Sequence, residues 1–133
     1  ILLNSKTGQV IWELPFSTFV RPIVSNNFIF FITNDGFILN ADISTGKVVW
    51  SKNLFNKSKK ITRDKIGDVT SIMLVSNEIL VTTKKGYFIF IDYKNGKIIN
   101  YVNADKKGFY SKPVLVNKKI YIVNMKGRLL VFN

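Results

Sequence analysis

Eight carboxylates supply the side-chain acid–base capacity of this chain near neutral pH: Glu13, Asp35, Asp42, Asp64, Asp68, Glu78, Asp92 and Asp105. Histidine and cysteine are both absent. Ser-His-Asp and Cys-His arrangements, histidine-held metals and thiolate ligands are therefore excluded for these 133 residues. Acid–base work on a glycoside needs two carboxylates brought close together, and a calcium loop needs oxygen ligands at alternate positions. None of the eight is spaced that way. Asp64 and Asp68 come nearest to a calcium pair, but turn capping or solvation suits them better. The expectation is a chain that is not an enzyme, with no catalytic residue, no metal and no cofactor.

The cations outnumber the acids, 20 to 8, for a net charge of +12. Such an excess invites a nucleic-acid or anionic-membrane reading. Nucleic-acid modules use arginine clusters or aromatic-basic interleaving. Here the cations are mostly lysines scattered over strand edges and turns, where they oppose edge-to-edge aggregation. No nucleic-acid partner is expected. One local cluster stands out, Lys57, Lys59, Lys60, Arg63 and Lys65, inside the long connection 55–68. It is either a solvated loop without a partner or a contact for another protein.

These residues hang on a repeat. Asn4-Ser5-Lys6-Thr7-Gly8-Gln9-Val10-Ile11-Trp12 returns as Asp42-Ile43-Ser44-Thr45-Gly46-Lys47-Val48-Val49-Trp50. It comes again, weaker, as Asp92 to Asn100 around Gly96. Between the turns lie short β-branched and aromatic runs, the longest being Phe28–Ile32. That pattern predicts strands of four to seven residues, four to a unit, with a period near 40. Nothing approaches the about 20 apolar residues of a membrane span. In each turn, Gly8, Gly46 or Gly96 supplies a positive φ, and Asn4, Asp42 or Asp92 supplies a short acceptor for backbone N–H groups. Trp12 and Trp50 should then be large wedges between one sheet and the next. Asn100 replaces the third tryptophan, so that joint should be weaker. Phe16, Phe19, Phe55 and Phe109 fall in connections, where inter-sheet packing or protein contact are the two readings.

The pattern Gly-x-x-x-x-x-Asp-x-x-Thr-Gly-Lys-x-x-Trp resembles the repeat of the PQQ-like β-propellers. The stretch Tyr101–Val114, with Gly108-Phe109 and Pro113-Val114, is similar to the last blade of the outer-membrane-assembly lipoproteins of that class. The resemblance implies an all-β propeller segment of about three four-stranded blades, part of a larger propeller of about eight. It divides the chain as 1–14 (end of one blade), 19–54 (a blade), 69–103 (a blade) and 111–133 (an incomplete last blade). It implies a non-catalytic protein-interaction scaffold, periplasmic and associated with the outer membrane, docking to the barrel-assembly subunit. A lipid anchor would lie upstream of Ile1. The alternatives in the same class are a PQQ-dependent dehydrogenase segment and a sensor or carbohydrate-binding propeller. The dehydrogenases hold their quinone among acidic, cationic and aromatic residues, and none of those match here. About three blades leave open edges, so self-association, with a two-chain pseudo-ring of six blades as one form, is a further expectation.

Overall fold

The computed structural model describes the whole chain, Ile1–Asn133. Thirteen strands make four antiparallel sheets, each running in chain order. β1 (Leu2–Leu3) pairs with β2 (Val10–Trp12). β3 (Ile23–Ser25), β4 (Phe28–Ile32), β5 (Phe37–Asp42) and β6 (Val48–Asn53) form the second sheet. β7 (Val69–Val75), β8 (Glu78–Thr83), β9 (Tyr87–Asp92) and β10 (Ile98–Asn103) form the third. β11 (Val114–Val116), β12 (Lys119–Val123) and β13 (Leu129–Phe132) form the last. A 3-10 turn, Lys57–Lys59, and a short helix α1, Arg63–Ile66, lie between the second and third sheets.

The strands read as continuous apolar runs because the inner ones are buried on both faces. In β4, Phe30 and Ile32 join an eleven-residue core between the second and third sheets. Their neighbours Ile29 and Phe31 face the other way, against Leu14 and the first sheet. In β9, Ile89 and Ile91 enter the same large core, while Phe88 and Phe90 pack toward the last sheet with Leu80, Phe109, Ile120 and Ile122. Side chains alternate across a strand, so each face must be separately apolar for sheets to stack this way. The result is an open segment of a β-propeller.

Each sheet that ends in an outer strand carries the same irregularity. Pairing skips Ile11 in β2, Val49 in β6 and Ile99 in β10. All three sit immediately before the repeat's tryptophan position, occupied by Trp12, Trp50 and Asn100. A bulge bends its strand and re-aims the following side chain. The period of the repeat alone does not reveal it. A further bulge, at Thr70, lies near the start of β7.

The two ends of the sheets are built from different connections. At one end, Leu54 donates its N–H to Gly36 O, Ala104 to Gly86 O and Met125 to Gly108 O. Central hairpins and sheet-to-sheet connections therefore interlock there. At the other end, Ile43 donates to Asn27 O and Tyr93 to Asn77 O, tying the repeat turns to short hairpins.

Candidate protein-interaction surface

The repeat turns are joints between sheets. Asn4 Oδ1 accepts from the Lys6 and Thr7 N–H groups at 2.9 and 3.1 Å. Asp42 Oδ1 accepts from Ser44 and Thr45 at 2.9 and 3.1 Å and from Ser44 Oγ at 2.6 Å. Asp92 Oδ1 accepts from Lys94 N at 2.8 Å. The hydroxyl and amide donors, the Ser44 hydroxyl foremost, hold the Asp42 carboxyl below its ordinary pKa. Gly8, Gly46 and Gly96 have φ of 72°, 73° and 76°.

Gly46 and Gly96 are also close-approach points. A Cβ on Gly46 would sit 2.7 Å from Trp12 Cγ, and one on Gly96 would sit 2.6 Å from Trp50 Cε3. The ring of one sheet's outer strand thus lies against the bare backbone of the next sheet's turn. Its indole N–H completes the joint: Trp12 Nε1 donates to Ile43 O at 2.7 Å, and Trp50 Nε1 donates to Tyr93 O at 3.0 Å. Both rings remain half-buried, because their outer edges face solvent. Gly8 has open space where the others meet a ring. Asn100 is exposed, and the joint to the last sheet is built elsewhere. Phe88 stacks on Phe109 at 5.3 Å and meets Phe132 edge-on at 4.9 Å.

The connection 55–68 is a folded insert. Asn56 caps the 3-10 turn through the Ser58 and Lys59 N–H groups, and Thr62 caps α1 through Lys65 N. Ile61 and Ile66 are fully buried in the large core. Arg63 is committed to the fold: Nη1 bonds Asp68 Oδ1 at 2.8 Å, Nη2 donates to Asn34 O at 2.9 Å, and the guanidinium covers the Phe55 ring. Tyr101 OH donates to Lys59 O at 2.9 Å and receives Lys65 Nζ at 3.2 Å. Lys57 and Lys60 point into solvent with no side-chain partner. Of Asp64 and Asp68, the latter is taken by Arg63. No group of three or more acidic or histidine side chains is assembled anywhere in the chain.

Of the connection aromatics, Phe109 is fully buried and Phe19 is 94% exposed. Phe16 packs at 6.3 Å from Phe31. Phe55 lies over Gly36, under Arg63.

Beside the insert, the structure gathers residues that the sequence scatters. Arg63, Lys65, Lys84, Lys85, Lys106 and Lys107 line one open concavity of about 830 Å³, with Tyr87 and Met125 among its walls. The sequence signal was a pair of Lys-Lys-Gly steps, 84–86 and 106–108, twenty-two residues apart. Nothing in their spacing says that they meet; the stacking of hairpin on connection does.

The family described as outer membrane protein assembly factor BamB matches residues 1–133. BamB of Shewanella oneidensis is 26% identical over 132 residues, which are 98% of this chain and 31% of that protein. The crystal structure of BamB from Moraxella catarrhalis superimposes with a TM-score of 0.70 at 22% identity, over 98% of this chain and 38% of that one. A quinohemoprotein alcohol dehydrogenase from Pseudomonas putida shares the fold, with a TM-score of 0.63 at 20% identity over 85% of this chain and 17% of its own. The chain spans about a third of the length of the curated relatives it matches.

Proposed function

The chain belongs to the family of the outer membrane protein assembly factor BamB, and from that membership we propose that it serves as a non-catalytic scaffold in outer-membrane β-barrel assembly. The observation that carries this reading is the end-to-end family match over residues 1–133. The engagement of the carboxylates supports it: Asp42 and Asp92 cap turns, Asp68 pairs with Arg63 and Asp105 bonds Asn124. The partner is the central barrel-assembly subunit, met at the periplasmic face of the outer membrane. Phe19 and the exposed cations of the insert, Lys57, Lys59, Lys60 and Lys65, are contact candidates at the end of the sheets where the connections interlock. The division into blades at 1–14, 19–54, 69–103 and 111–133 is part of the same reading.

Binding of the chain to the isolated periplasmic domains of that subunit, measured by surface plasmon resonance, tests it. Saturable binding is expected. Absence of binding overturns the scaffold reading. Calcium- and quinone-dependent alcohol oxidation by the purified protein overturns its non-catalytic part.

A further inference from the structure

The lysine concavity is held by backbone. A Cβ on Gly86 would overlap the Asp105 carbonyl, and one on Gly108 would overlap the Lys84 carbonyl. Both glycines have positive φ, 86° and 82°. Only bare backbone permits two turns to lie this close. Gly86 O accepts the N–H groups of both Ala104 and Asp105, at 2.8 and 3.2 Å. Lys84 N donates to Asp68 O at 2.8 Å and Lys85 N to Ile66 O at 3.2 Å, joining the hairpin to the folded insert. Three segments far apart in sequence are thereby fixed, with their cations turned into one space.

That space is charged almost entirely one way. Asp68 is the one carboxylate in its lining, and Arg63 already neutralises it. Asp105, beside it, is occupied by Asn124 Nδ2 at 2.7 Å and by Lys107 N at 3.0 Å. The opposite end of the sheets carries a smaller excess: turn 42–47 holds one aspartate and one lysine, and turn 92–97 one aspartate and two lysines. Like charges held together repel one another, and an anionic occupant relieves that repulsion.

We propose that this concavity is a docking site for an acidic, extended segment of a protein partner. The proposal rests on the reading of the chain as a protein-interaction scaffold and names the chemistry of one contact. The surface is broad and open, and Tyr87 and Met125 beside its cations supply the apolar contact that the side chains of a peptide use. Lys65 Nζ is held by Tyr101 OH and Lys85 Nζ by the Asp64 carbonyl, so the free cations are Lys84, Lys106 and Lys107, point charges suited to carboxylates spaced along a chain. The one arginine, with its fork suited to phosphate, has both terminal nitrogens occupied.

Fluorescence anisotropy with labelled hexaglutamate tests the site in the full chain at low and physiological ionic strength. Saturable binding is expected, weakened about tenfold by the double change Lys84→Gln/Lys107→Gln. The double change Lys94→Gln/Lys97→Gln removes the same charge from the opposite end and should leave binding intact. All four side chains are exposed, and thermal melts confirm that both variants fold. Equal weakening by both pairs, or no binding, overturns the proposal. So does tighter binding to phosphatidylglycerol vesicles that is lost with the 84/107 pair, since that assigns the recess to lipid phosphate. The scaffold reading has its own assay, on the whole partner domain, and survives or fails there.

Discussion

Trp50 does two things at once: its ring fills the space over Gly96, and its indole N–H reaches the Tyr93 carbonyl. Removing both should cost about 3 kcal/mol, at the low end for a large aromatic because the ring is half-buried. Trp50→Phe keeps most of the packing and loses the hydrogen bond, so about 1 kcal/mol is expected. Urea unfolding of the two variants separates these contributions. Glycines offer a cleaner comparison. Gly86 and Gly127 share a positive φ, 86° and 76°, but only Gly86 faces a neighbouring carbonyl where a Cβ would go. Both alanine variants pay the left-handed backbone penalty of about 1–2 kcal/mol. Gly86→Ala should cost clearly more in the same urea experiment. Asp105 adds a pH dependence. The Lys107 N–H first, then Asn124, hold its carboxyl below the ordinary value. Its folded pKa lies under its unfolded one, so its contribution is complete above the unfolded value and is lost as pH falls through the folded one. Melting temperature should therefore drop as pH goes below about 4, and Asp105→Asn should flatten that slope.

Among the elements, the insert 55–68 behaves as part of the core. Ile61 and Ile66 are both fully buried beside Leu54 and Ile72. Ile66→Ala should cost about 2–5 kcal/mol, a core-sized penalty that a solvated loop would not show. Differential scanning calorimetry measures it. Strand existence and order were legible in the sequence because alternate faces and Gly turns repeat with the unit. The role of the turn motif was legible because an aspartate, a glycine and a tryptophan each answer a separate physical need. The bulges at Ile11, Val49 and Ile99 were not, since an extra residue in a strand leaves no compositional mark. The lysine recess was not, because its cations come from three segments joined by the interlock of Gly86 with Gly108 and by the Lys84 and Lys85 N–H bonds to the insert. The insert read as charged and loose because its two anchoring isoleucines are outnumbered by lysines.

Across the molecule, the first and last sheets of the open segment leave apolar strand surface exposed. Leu129 and Val131 on β13 are 63% and 51% exposed, and β13 has a partner on one side only. An uncovered apolar edge drives association. The isolated chain should therefore self-associate with concentration in light scattering, and Leu129→Lys/Val131→Lys should shift it toward monomer. A monomer at every concentration would show that those edges need no cover. The tryptophan joint carries a different consequence, for how such a molecule comes to be as long as it is. Because a unit with the full motif both gives a ring and receives one, a duplicated unit docks onto its parent with no new side chain to invent. Length can then be gained by copying in tandem. A copy without the ring, like the third unit with Asn100, needs another joint, which here is the Phe88–Phe109–Phe132 stack.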